Sequence, residues 1–230
     1  MHHLYLLLNL GSLSVPFLFS FHPKLKFYNY WKPLIISVFA SMLIFIPWDI
    51  IFTNEGVWGF NSNYYLGTTF FNLPIEEWLF FICIPYACIF THYALLLYFP
   101  QLKLKKQQTQ LIGIILILLF IITAIYNHTK AYTFVNFSLA SILTGIVIRR
   151  NIELLQSYLL TFIVMLIPFF LVNGTLTGSF IKNEVVWYNN AENLGVRLFT
   201  IPIEDTVYAF SLILLNLFII STINKYRFKN

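Results

Sequence analysis

A chain of 230 residues that is 59% hydrophobic and 10% charged is excluded from the ordinary soluble class, in which about 25% of residues carry charge. Its formal net charge of +5 comes from Lys and Arg grouped in short clusters between apolar runs, a pattern of membrane topology that excludes nucleic acid as a partner. Met1-His2-His3 leads directly into an apolar run, with neither a basic leader nor a small-residue cleavage site, and reads as a retained first span. Seven stretches are predicted to cross a bilayer, roughly 4–20, 33–53, 74–99, 110–126, 132–148, 154–173 and 202–223, each near the 20 or so apolar residues that a spanning helix needs. Cys83 and Cys88 lie together inside the third, a spacing that suits neither a disulfide framework nor a metal knuckle and reads as core packing.

Basic residues set the orientation. Lys24, Lys26 and Lys32 follow the first span, Lys103, Lys105 and Lys106 the third, Arg149 and Arg150 the fifth, and Lys225, Arg227 and Lys229 fall in the tail. Against these eleven, only Lys130, Lys182 and Arg197 lie on the other side. The expected location is the cell membrane, with the N-terminus outside and the C-terminus cytoplasmic.

The chain repeats itself. Leu66-Gly67, Phe71 and Pro74-Ile75-Glu76-Glu77 recur as Leu194-Gly195, Phe199 and Pro202-Ile203-Glu204-Asp205 at an offset of 128. Upstream, Asn54-Glu55-Gly56-Val57-Trp58 recurs as Asn183-Glu184-Val185-Val186-Trp187 at 129. The predicted fold is an all-α membrane protein of about seven transmembrane helices, arranged as two parallel three-helix repeats joined by a linking helix. Residues 1–100 form the first repeat, 101–131 the linking helix and its loops, and 132–230 the second repeat.

The acids carry the chemistry. The doublets Glu76-Glu77 and Glu204-Asp205 open the third and seventh spans, each after a proline expected at the first helical position. A helix N-terminus favours a carboxylate by about 0.3 to 1 kcal/mol; desolvation and a like-charged neighbour push the other way, so a buried doublet can hold a proton and act as a general acid. Because consecutive helical positions diverge by about 100°, at most one member of each doublet faces a shared cavity. Glu204 shares its face with Tyr208 and Ser211, a polar stripe that suggests the bundle interior, while Asn216 eleven residues after Asp205 weakens that preference. Capping at the membrane interface is the alternative for either doublet alone; its repetition in the same frame favours function. Asp49 and Asn173, near the ends of the second and sixth spans, are supporting candidates that could orient an acid or accept a proton, with helix-end hydrogen bonding as the alternative. Trp58, Phe70, Phe71, Trp78, Phe81, Trp187, Phe199 and Tyr208 lie near the doublets; they could stabilise a cation or form an interfacial belt. His92 reads as a packing residue. Dinucleotide, phosphate-loop, zinc and nucleophile-elbow motifs are missing from the sequence, so no cofactor and no metal is expected.

The two proline-x-acidic-acidic segments, each opening a helix after an aromatic, Asn-containing loop, resemble the small integral-membrane lycopene cyclases, which are distinct from the flavin-dependent cyclases. In that family the two units are separate subunits or are fused, as here, and the resemblance covers nearly the whole chain. It implies that lycopene or a related acyclic carotenoid is protonated at its terminal double bond, the cation is trapped by the next internal alkene and a ring proton is lost, an isomerisation without redox change. Carried over by residue, Glu76, Glu77, Glu204 and Asp205 become the acid and base candidates, with donor and acceptor unassigned. The implied partners are the carotenoid, the lipid bilayer and other enzymes of carotenoid biosynthesis. A carotenoid-cleaving membrane oxygenase and a proton-coupled transporter or lipid-binding protein are the competing readings.

Overall fold

The computed structural model describes residues 2–227; Met1 and Lys229 of the basic tail lie outside the described residues. Among the described residues seven α-helices carry the fold: α1 Leu4–Phe19, α2 Trp31–Asn54, α3 Ile75–Tyr98, α4 Lys106–Tyr126, α5 Ala131–Arg150, α6 Ile152–Leu176 and α7 Ile203–Arg227. Six of them, α2 to α7, are long and apolar enough to cross a membrane, so the chain is a multi-pass membrane protein. The sequence predicts seven spans; α1, at 16 residues, extends about 24 Å at 1.5 Å per residue, short of the roughly 30 Å hydrocarbon core.

Packing follows from the burial each helix needs. α1 lies along α3 and α5 lies along α7, while α2 packs against α7 and α6 against α3. The interior mixes aliphatic and aromatic side chains, with Phe45, Phe81, Ile89, Tyr158, Leu214 and Leu217 fully buried. Leu43, Leu18, Ile142 and Ile167 project outward from the bundle, as expected of side chains whose solvent is lipid. α4 packs on α5 and α6.

Short strands close the end of the bundle where the acidic doublets lie. β1 (Trp58–Phe60) pairs antiparallel with β4 (Val186–Tyr188), in register Trp58 to Tyr188, Gly59 to Trp187 and Phe60 to Val186. Asn61 N donates to Val185 O at 2.8 Å and Asn189 N to Val57 O at 2.9 Å, extending the ladder at both ends. A β-carbon on Gly59 would overlap the Trp187 indole, with Cε2 2.6 Å away, so only glycine allows this cross-strand approach. Two hairpins then feed helices: β2 (Thr69–Phe70) with β3 (Leu73–Pro74) precedes α3, and β5 (Arg197–Leu198) with β6 (Ile201–Pro202) precedes α7. Pro74 ends β3 as the residue before α3, one position earlier than predicted, because its ψ of 145° is extended and pairs with Thr69. Both doublets lie in the first turn of their helices.

Candidate active site

The first turns of α3 and α7 meet beneath the β1–β4 pair, at the head of a cavity of about 490 Å³. Its walls come from α1, α3, α6 and α7, and its head is lined by Asp49, Glu77, Asp205, Trp58, Tyr188 and Tyr208. From Glu77 the lining follows α3 through Ile84, Cys88 and Thr91, about 21 Å at 1.5 Å per residue. Leu8, Phe80, Phe162, Met165, Phe169 and Leu212 make the remainder of this channel apolar. Its lining, among the described residues, includes no Lys, Arg or His.

One member of each doublet faces this space. Glu77 Oε2 accepts from the Tyr5 hydroxyl of α1, and Asp205 Oδ1 accepts from the Tyr132 hydroxyl of α5 at 2.7 Å. Asp205 Oδ2 accepts two further bonds, from Asn173 Nδ2 at 2.8 Å and from the Tyr188 hydroxyl at 2.9 Å. Asp49 Oδ1 accepts from Trp58 Nε1 at 2.7 Å, and the Asp49 side chain lines the cavity head with Glu77. Enclosure of the Tyr188 hydroxyl, then the Asp205 carboxyl beside it, holds that phenol well above its ordinary range, so it stays an O–H donor.

The other members look away. Glu76 Oε1 accepts from Leu66 N at 2.8 Å, and Glu204 Oε1 from Leu194 N at 2.7 Å and Thr133 Oγ1 at 2.7 Å. Each fixes the loop at the residue before a left-handed glycine, Gly67 at φ 86° and Gly195 at φ 72°, where a side chain would be strained. The recurring Leu-Gly pair is therefore the partner of the first acid. Asn9 Nδ2 donates to Glu76 O at 2.7 Å and Asn136 Nδ2 to Glu204 O at 2.6 Å, docking α1 on α3 and α5 on α7.

Of the predicted site residues, the fold brings together Glu77, Asp205, Asp49, Asn173 and Tyr208. Glu76 and Glu204 are buried but outside the cavity lining. The expected face of Glu204 is corrected: Asp205, not Glu204, shares the cavity with Tyr208, because the lining positions 205, 208, 209 and 212 follow helical spacing from the second acid. Trp78 is not in the lining; its Nε1 donates to Phe70 O at 3.3 Å. Phe71 and Phe199 sit at hairpin tips, 65% and 87% exposed and at φ 52° and 60°, outside the cavity lining. His92 is buried, with Nδ1 2.8 Å from Thr161 Oγ1, and Cys83 and Cys88 are free thiols. Sequence reasoning missed Tyr5, Tyr132, Tyr188, Asn9 and Asn136. A signal existed: Tyr5 and Asn9 recur as Tyr132 and Asn136 at an offset of 127.

Fold and cavity together define a multi-pass membrane protein with an extended apolar binding space that is acidic at one end. A family model described as lycopene cyclase matches residues 2–95 and 129–223, leaving α4 between the two matched stretches. The chain belongs to the lycopene cyclase family. That membership gives it an enzymatic role in carotenoid biosynthesis, a carotenoid substrate and a membrane setting. No curated protein and no solved structure matches the chain.

Proposed function

We propose that the enzyme closes ionone rings on lycopene or a closely related acyclic carotenoid by proton-initiated cyclisation, an isomerisation with no net redox change, at one site served by both halves of the chain. The observation that carries this reading is the convergence of Glu77 from α3 and Asp205 from α7 on one apolar channel. A hydrocarbon offers no polar handle, so its recognition must come from shape and its activation from an acid kept away from bulk water. A channel about 21 Å deep along α3 suits an extended polyene lying parallel to the helices, with its terminal alkene at the carboxyl end. The hydroxyls of Tyr5, Tyr132 and Tyr188 order the acids, while the rings of Trp58 and Tyr208 line the head beside them. Aromatic faces stabilise a nearby cation by roughly 0.5 to 2 kcal/mol each.

In this reading Glu77 and Asp205 handle protons, and Glu76 and Glu204 hold the loops that roof the site. The two halves are a duplicated three-helix unit, supported by matching bonds: Tyr5 to Glu77 and Tyr132 to Asp205, Asn9 to Glu76 O and Asn136 to Glu204 O. α4 links them. The acid end faces outward and the clusters Lys24 to Lys32, Lys103 to Lys106 and Arg149-Arg150 face the cytoplasm of the cell membrane, by the charge rule. Contacts with other carotenoid enzymes would deliver the substrate through the same bilayer.

The test is expression in a lycopene-accumulating cell. The expected product is a cyclic carotenoid of the same mass as lycopene. Unchanged lycopene, with the protein present in the membrane, overturns the assignment; shorter oxygenated products point to cleavage instead.

A further inference from the structure

The two cavity acids are not equivalent, and the difference lies one helix away. Asp49 on α2 and Asn173 on α6 stand 124 positions apart in corresponding places, the first beside Glu77 and the second beside Asp205. Asn173 is an amide that donates to Asp205. Asp49 is an acid that has no N–H or O–H to offer unless it is protonated.

Hydrogen-bond supply differs accordingly. Asp205 accepts three bonds, from Tyr132, Asn173 and Tyr188, an arrangement that suits a carboxylate. The Asp49 and Glu77 carboxyls accept one donor each, Trp58 Nε1 and the Tyr5 hydroxyl. Asp49 Oδ2 is buried with no donor at all, and Asp49 and Glu77 line the same cavity head. Two adjacent carboxyl groups, with no basic side chain in the cavity lining among the described residues, meet both requirements by holding one proton between them.

We propose that Asp49 is a positioning residue that shares a single proton with Glu77, making Glu77 the proton donor to the carotenoid and leaving Asp205 as the carboxylate that takes the ring proton back. This inference rests on the cyclase reading above. The Glu77 O–H bond breaks as a C–H bond forms at the inner, less substituted carbon of the terminal alkene, leaving a tertiary cation at the outer carbon. The π pair of the next alkene forms the ring bond and moves the cation into the ring. A neighbouring ring C–H breaks, its electrons become the ring double bond, and the proton goes to Asp205. Return of that proton across the cavity head to the Asp49–Glu77 pair restores the enzyme, with no oxidant or reductant consumed.

Infrared spectra of the full-length protein in detergent at neutral pH read the shared proton directly, through the carbonyl band of a protonated carboxylic acid. Within that band, beside any contribution from the buried Glu76 and Glu204 carboxyls, one component is expected in the wild type that is abolished in Glu77→Gln, displaced or abolished in Asp49→Asn, and retained in Asp205→Asn. The amide oxygen introduced by Asp49→Asn can still accept from Trp58 Nε1, so this variant keeps the local fold and is expected to slow cyclisation at least about tenfold, within reach of what general acids contribute. Asn173→Asp is the second probe: placing an acid against Asp205 should add a protonated-carboxyl band and lower activity. An unshifted component in Asp49→Asn, loss of that component in Asp205→Asn, or no added band in Asn173→Asp each overturns the proposal. If the spectra follow the expected pattern while the wild type leaves lycopene unchanged, the proton pair stands and the substrate assignment falls.

Discussion

At the residue scale, adjacent acids on one helix have different work because a helix turns by about 100° per residue. Glu77 and Asp205 meet the cavity, whereas Glu76 and Glu204 meet backbone N–H groups of the roofing loops. Glu77→Gln and Asp205→Asn are therefore expected to lower cyclisation at least about a hundredfold with the fold intact, since the amide keeps shape and loses proton transfer; carotenoid profiles of expressing cells measure this. Glu76→Ala is expected to behave differently. It strands the Leu66 N–H and should cost about 1 to 3 kcal/mol of stability, read as a lower unfolding temperature in detergent. The doublets themselves were legible from the proline-x-acidic-acidic frame repeated at 128. Which acid faces the cavity was not, because Tyr208 and Ser211 form a polar stripe with Glu204 in the sequence, whereas in space Tyr208 lines the cavity with Asp205 three residues before it and Ser211 is buried outside the lining. Tyr5 and Tyr132 escaped notice because each sits near the start of a helix whose apolar run reads only as a span, and their bonds to Glu77 and Asp205 join positions more than 70 residues apart in sequence.

Among elements, the β1–β4 pair ties the segment after α2 to the segment after α6. No run of alternating residues announces these three-residue strands, so only their blocks of recurring sequence, Val57-Trp58 and Val186-Trp187, were visible beforehand. Gly59→Ala is expected to force the Trp187 ring from its place against β1, lowering thermal stability and cyclisation together; Gly145→Ala, whose added carbon would meet only Ile117 Cδ1 at 3.8 Å, is the control that should change neither. The helices also explain why the channel occupies one side of the bundle. Val172 of α6 lines it, whereas Trp48 of α2 does not. The Trp48 ring packs 5.2 Å from that of Tyr208, 6.2 Å from Trp58 and 6.4 Å from Tyr132, and Phe45 lies 5.1 Å from Tyr208. The space between α2, α3, α5 and α7 is thus filled by rings. Val172→Trp is expected to plug the open channel in the same manner and to abolish carotenoid conversion, with helical content by circular dichroism unchanged.

For the whole molecule, composition and apolar run lengths made the membrane class and all six long helices legible, with α1 the one element whose predicted span proved short. Convergence on a single cavity was not legible, because the exchange of partners, α2 onto α7 and α6 onto α3, leaves no trace in any local pattern. That cavity has carboxyl groups at only one end. A polyene with two identical tails can present just one of them to such a channel, so on the cyclase reading finishing both requires the half-closed molecule to back out into the lipid, reverse end for end and dock again. How much singly closed carotenoid accumulates then becomes a contest between fresh lycopene and its own half-finished derivative for one berth, set by the supply of precursor in the bilayer.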